Sequence, residues 1–161
     1  MDQKLSISPL LADLEQSCPS GYALAMHIKY TTPNFLFQTY PMKWIEYYSM
    51  AGLVLHDPIV RWGFENTGAT TWGALGADDP KGVVSLAAEH GMKFGTVISL
   101  VEDNSRTIGG FARPDRDHTP EEVADLSRIL HEVHHQTRDT VDLPAEERAA
   151  LKRLSITLTH S

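Results

Sequence analysis

Five side chains able to grip a polar group crowd an otherwise apolar stretch: Tyr40-Pro41-x-x-Trp44-x-x-x-Tyr48, then Asp57-Pro58-x-Val60, then Trp72-Gly73. They supply two phenols, two indole N–H donors and one carboxylate. No activated nucleophile or acid–base pair accompanies them, so they suit binding better than a reaction. An amphiphile with an amide head and an apolar tail matches this inventory. The carboxylate would accept the amide N–H, the donors would meet carbonyl oxygens, and the rings would pack on the rest.

Each of these residues also has a plain structural role open to it. Asp57 before Pro58 is a standard helix N-cap. It lies, however, between Leu53-Val54-Leu55 and Ile59-Val60, and a carboxylate in apolar surroundings needs donors. Cap and ligand contact can coexist on different oxygens. Trp44 alone reads as a core aromatic, and Trp72 equally well as a strand aromatic in the core. Tyr40 is an unusual residue directly before a helix-opening proline, since phenol is a poor cap, and this favours a specific hydroxyl contact. Tyr47 and Trp62 read as packing.

The elements that must position these residues follow from punctuation and periodicity. Ser8-Pro9 opens a short helix carrying Leu10, Leu11 and Leu14, and Cys18-Pro19-Ser20-Gly21 stops it. Residues 22–30 then alternate, with Tyr22, Leu24, Met26, Ile28 and Tyr30 on one side and Ala23, Ala25, His27 and Lys29 on the other. That is a strand whose bulky side faces a core or pocket. A turn at 31–34 leads to a second strand over 35–39. Pro41 opens a helix with Trp44 and Tyr48 on one face, Gly52 ends it, and Asp57-Pro58 opens another through about Phe64. Residues 70–74 read as a short strand. Asp79-Pro80 caps a helix burying Val83, Val84, Ala87 and Ala88, with Gly91 as its stop. Strands over 94–101 and 106–112 flank an Asp103-Asn104-Ser105 turn, as a hairpin would. Thr119-Pro120-Glu121-Glu122 is a capping box, and the helix after it aligns Val123, Leu126, Leu130, Val133 and Thr137. The fold expected is α+β: an α/β/α sandwich, its central antiparallel sheet of about five strands flanked by helices on both faces.

Composition narrows the function classes. A chain of 161 residues with 42% hydrophobic and 22% charged residues is a folded domain, because disordered segments lack that apolar content. A net charge of −7 disfavours a nucleic-acid surface, which needs clustered Lys and Arg. The single Cys18 excludes an internal disulfide framework and fits a reducing cytosol. Residues 1–15 lack a signal peptide's basic and apolar regions, and no run is long enough to span a bilayer. A soluble cytoplasmic domain with no membrane role is the expectation.

In order and spacing, the aromatic and acidic string resembles the ligand-binding domain of LuxR-type quorum-sensing regulators, over residues 21–141. The resemblance implies noncovalent binding of an N-acyl homoserine lactone, with no enzymatic activity, cofactor or metal. It implies that Asp57 accepts the acyl-amide N–H, Trp44 donates to the lactone carbonyl and Tyr40 reaches the acyl carbonyl. Tyr48 would pack against the head or chain, and Trp72 would cover the lactone ring. Met26, Ile28, Tyr30, Leu36, Val60, Ala87, Met92 and Val97 would enclose the acyl chain. Two departures stand out. The last strand has Gly110-Phe111-Ala112 where relatives offer a Ser or Thr, and the turn over the ligand is brief. Residues 1–142 read as the autoinducer-binding domain. Residues 143–161, beginning Leu143-Pro144-Ala145-Glu146, look like the start of a helix-turn-helix module that stops before a recognition helix. The chain alone is therefore expected not to bind an operator specifically. It is expected to form a homodimer, or a heterodimer that inhibits a full-length regulator.

Two competing classes remain. His131-Glu132-Val133-His134-His135 matches the H-E-x-x-H pattern of zinc hydrolases, with His131 and His135 as ligands and Glu132 as base. That helix face also carries Arg128 and Arg138, which oppose a cation, and no clear third ligand follows. A ligand-independent dimerisation adaptor is the other alternative.

Overall fold

The computed structural model describes residues 7–30 and 33–138. The helix expected over 145–154 and the whole 143–161 segment lie outside these residues, as does part of the 31–34 turn. Five strands are described: β1 (Gly21–Ile28), β2 (Phe35–Gln38), β3 (Gly68–Thr71), β4 (Phe94–Glu102) and β5 (Ser105–Arg113). They form one sheet in the order β2-β1-β5-β4-β3 with every neighbouring pair antiparallel. Helices α1 (Ile7–Ser17) and α6 (Pro120–Thr137) supply one core. Helices α2 (Met42–Met50), α3 (Pro58–Glu65), α4 (Trp72–Leu75) and α5 (Val83–Glu89) bring their apolar residues to the other. This is the expected α/β/α sandwich.

The two cores are chemically unlike. On the α1–α6 side, Tyr22, Leu24, Met26, Phe37 and Phe111 of the sheet meet Leu14, Leu126, Ile129 and Leu130. Fully burying side chains of this size stabilises by about 1.5–3 kcal/mol each, so this side holds the fold together. The other side sets Val97, Ile108 and Ala112 against Trp44, Leu53, Trp72, Val83 and Ala87. Small sheet residues opposite large aromatics leave space there.

Local chemistry explains most boundaries. Asp103 and Asn104 both adopt positive φ, 55° and 60°, the left-handed pair that a two-residue hairpin turn requires. Thr119 accepts from the Glu122 N–H at 3.1 Å, and the Glu122 carboxylate takes the Thr119 N–H at 2.8 Å, completing the capping box. Two expectations shift. The strand read over 70–74 ends at Thr71, whose hydroxyl accepts the Ala74 N–H and starts α4 with Trp72 in its first turn. The helix read from Asp79-Pro80 begins only at Val83, because the Asp79 carboxylate caps from further back, taking the N–H groups of Val83 and Val84, each at 2.8 Å.

A larger correction concerns β1. Ala25 pairs with Ile108 but Ile28 with Arg106, so three steps on β1 face two on β5: a bulge, with His27 at φ 53°. Strict alternation therefore fails after Met26. His27 turns to the α6 side, Ile28 turns away from it, and Tyr30 is 96% exposed.

The bulge builds a histidine pair. The His27 Nε2–H lies within reach of the His134 carbonyl at 3.0 Å, and Ser105 Oγ stands 2.7 Å from Nδ1. His134 sets Nε2 towards the Glu102 carbonyl, and Thr107 Oγ1 stands 2.7 Å from its Nδ1. Carbonyls only accept, so each ring carries a proton on Nε2, and the hydroxyls of Ser105 and Thr107 can donate to Nδ1. Burial, and then the neighbouring His134 ring 4.2 Å away, lowers the His27 pKa from 6.5 to about 4. His134 is lowered too, again chiefly by burial. The sign follows from linkage: between about 6.5 and about 4 the unfolded chain binds a proton that the native chain refuses. This stability is complete above about pH 6.5 and is lost as the pH falls towards about 4. Thermal melts should show Tm falling by several degrees between pH 7 and pH 5, with His27→Gln flattening that slope. An equal slope in the variant would contradict this.

Candidate functional site

Between the sheet and helices α2 to α5 lies a cavity of about 240 Å³. Its floor is the sheet: Ala23, Ala25 and Ile28 of β1, Leu36 and Gln38 of β2, and Ile108 and Gly110 of β5. Its walls include Tyr40, Trp44, Tyr48, Asp57, Val60 and Trp72. Of the thirteen residues expected around the ligand, nine face this one chamber: Tyr40, Trp44, Tyr48, Asp57, Trp72, Ile28, Leu36, Val60 and Ala87.

Met26 departs from its expected place. It is fully buried, but in the α1–α6 core with Tyr22 and Leu24. The strand turned out to present its small side, Ala23 and Ala25, to the cavity. Large residues on one side of a strand are equally good for a solid core, and here they make one. Met92 and Val97 lie in the core around the chamber rather than in its lining. Ile28 and Ala87 do line it. Sequence reading missed Gln38 and Ile108, and named Gly110 only as a departure from the family's pattern. The signal available was the run of small residues, since Ala23, Ala25 and Gly110 together leave room above the sheet.

Asp57 caps α3 and also anchors Tyr48. It is 7% exposed; Oδ1 accepts the Ile59 N–H at 2.9 Å as the cap of α3, and Oδ2 accepts the Tyr48 hydroxyl at 2.7 Å. A carboxylate has about four acceptor positions, more than these two bonds occupy. Burial raises the Asp57 pKa above its ordinary 3.8, opposed by the bonds from Tyr48, Ile59 and Val60. Burial also raises Tyr48 and Tyr40 well above the ordinary phenol value, so both hydroxyls stay protonated donors.

The aromatic frame is close-packed. Trp44 is 4% exposed and meets the rings of Tyr48 at 5.6 Å and His90 at 5.2 Å. Tyr47 turns outward against His90, a packing role. Trp72 stands edge-on to Tyr40 at 6.2 Å, and its six-membered ring lies directly on the backbone of Gly95. The Tyr40 hydroxyl lies over Gly110, where a Cβ would be 2.6 Å away. Glycine at 95 and 110 is therefore what admits both rings. The buried indole Nε1 of Trp72 has no hydrogen-bond partner among the described residues. The sequence reading placed the donating indole at Trp44 and gave Trp72 only a covering role; an orphan donor here costs free energy unless an acceptor arrives.

Arg106 holds the Asp57 helix in place. Its guanidinium donates to the carbonyls of Gly63 at 2.6 Å and Asn66 at 2.8 Å, at the C-terminal end of α3. A cation there complements the helix dipole. The alternative chemistry on α6 finds no comparable support. The Nε2 atoms of His131 and His135 meet the two oxygens of Glu102 at 3.1 Å and 3.0 Å, and Glu132 accepts from the Gln136 amide. Among the described residues, no group of three or more His, Cys, Asp or Glu side chains is arranged to hold a metal ion. No described helix is long and apolar enough to cross a membrane.

Comparison with known proteins places the family and the fold. The family model described as the autoinducer binding domain matches residues 21–137. The fold is similar to that of SdiA solved with octanoyl-rac-glycerol, with TM-score 0.58, 17% identity, and coverage of 100% of this chain and 64% of that one. Escherichia coli SdiA in the space group P6522 gives TM-score 0.65 and 16% identity, covering 90% and 65%. The N-acylhomoserine lactone dependent LuxR family transcription factor CepR2 of Burkholderia cenocepacia gives 0.54 and 15%, covering 89% and 98%. The chain spans just under two thirds of the SdiA chains it matches. No curated protein matches it by sequence.

Proposed function

This chain belongs to the autoinducer binding domain family, and on that premise we propose that its cavity holds an N-acyl homoserine lactone noncovalently. Asp57 accepts the amide N–H, Tyr40 donates to the acyl carbonyl and Trp44 to the lactone carbonyl. Tyr48 packs on the head, Trp72 covers the lactone ring and offers its unpartnered Nε1–H to an oxygen of the head, and Leu36 and Val60 flank the acyl chain. One observation carries this reading: a buried carboxylate with unused acceptor capacity shares an apolar chamber with an unpartnered indole N–H. Such a chamber matches a ligand that offers one N–H donor, carbonyl acceptors and a hydrocarbon tail.

The octanoyl-rac-glycerol bound to SdiA also has an acyl tail, but joined through an ester. Asp57 distinguishes the two heads, because an ester brings no N–H. Titration of intrinsic fluorescence tests this, since Trp44 and Trp72 both line the cavity. N-acyl homoserine lactones of graded length should give saturable changes, the best of them about tenfold tighter than octanoyl glycerol. No saturable change with any lactone would overturn the reading. As partners we propose a second copy of this chain or a longer LuxR-type regulator in the cytoplasm, a reading supported by family membership alone. Sedimentation of the lactone-loaded protein, alone and mixed with a LuxR-type regulator, tests it, and a monomer in both at every concentration would refute it.

A further inference from the structure

We propose that Gln38 reads a second polar group on the ligand, an oxygen carried on the chain close to the amide head; this rests on the ligand class proposed above. Gln38 is the one side-chain amide in the cavity lining, and its side chain has no hydrogen-bond partner among the described residues. Gln38 is half-buried at the rim of the sheet floor, and its primary amide offers two donors and an acceptor that a ligand oxygen can engage.

Sheet register shows where the amide can reach. Gln38 pairs with Ala23, and Ala23 pairs with Gly110, so the three stand side by side on adjacent strands. Laterally paired residues share a face, and all three line the cavity. Strands are spaced about 4.8 Å apart, and Ala23 and Gly110 rise too little to block the long side chain. The row is thus a shallow trough with the Gln38 amide at one end and Gly110 at the other. The Tyr40 hydroxyl roofs the Gly110 end, within 2.6 Å of where a Cβ would stand, and Trp72 Cζ2 comes within 3.6 Å of that point.

This crowding bars a hydroxyl-bearing side chain from position 110, because it would collide with Tyr40. The row's hydrogen-bonding capacity is instead supplied from two strands away. With the acyl carbonyl at Tyr40, the next few chain atoms lie along the trough. An oxygen at the third carbon then meets the Gln38 amide as acceptor to donor.

The test uses N-octanoyl and N-(3-oxooctanoyl) homoserine lactone, titrated into the intact protein and into Gln38→Leu and Gln38→Met. The intact protein should bind the 3-oxo ligand about tenfold more tightly, the worth of one hydrogen bond. Both variants should bring that ratio to about one or below, with affinity for the plain ligand kept or improved. Two substitutions of different shape, each checked by thermal melt, separate lost recognition from lost folding. If both ligands bind but the ratio is one in the intact protein, or persists in the variants, Gln38 is merely hydrated and the inference falls while the ligand class stands. If neither ligand binds the intact protein, the ligand class falls and takes this inference with it.

Discussion

Asp57→Asn should weaken lactone binding by about 1.5–3 kcal/mol, roughly ten- to a hundredfold or more, with little change in Tm. The two halves of that result have separate causes. Asparagine caps helices as well as aspartate does, so the Ile59 N–H still finds an acceptor and α3 keeps its start. Its amide, however, has one acceptor oxygen where the carboxylate had two. Tyr48 already donates to one carboxylate oxygen and Ile59 to the other. The ligand N–H then competes for the single oxygen or meets an N–H₂ that repels it. Isothermal titration beside a thermal melt checks both halves. Unchanged affinity, or a fall in Tm that accounts for the loss, would remove Asp57 from the site.

Gly95→Val should cost about 1–3 kcal/mol of stability and also abolish tight binding. A Cβ at 95 would overlap the six-membered ring of Trp72, and the other side of that ring helps wall the cavity. The rigid strand backbone of β4, paired with Ala112 across β5, cannot retreat. The indole must therefore swing into the chamber or out of it, and either removes the unpartnered donor from its place. Gly73→Ala is the control, because a Cβ there meets nothing within 4 Å and the glycine lies in a helix. Denaturant unfolding and titration of both variants would show the contrast. Equal behaviour would mean that Trp72 does not need its seat on the sheet.

How much of this was legible in the sequence depended on whether local chemistry or register decided the outcome. Capping residues announced themselves: Thr119 with Glu122, and Asp57 before Pro58, act within a turn of their own position. The Asp103-Asn104 hairpin likewise needs only two residues that tolerate positive φ. The aromatic string was legible because donors and a carboxylate in apolar surroundings are costly to keep without a purpose. Which face of β1 meets the chamber was not. Alternation gives two sides but does not say which is solid core, and bulk pointed Met26 the wrong way. The bulge after Ala25 was equally hidden, because it arises from pairing with β5 and from the His27–His134 contact with α6. Gln38 was passed over for a related reason. A glutamine at the end of a short strand looks like surface until pairing sets it beside Ala23 and Gly110.

Mass spectrometry of solvent extracts tests the ligand claim most directly. Protein produced in cells supplied with a mixture of acyl homoserine lactones, then passed through gel filtration, should release close to one equivalent of lactone, enriched in one chain length. Asp57→Asn protein handled identically should release far less. Folded wild-type protein that emerges with no lactone from that supply, or with the same amount as the variant, would contradict the account.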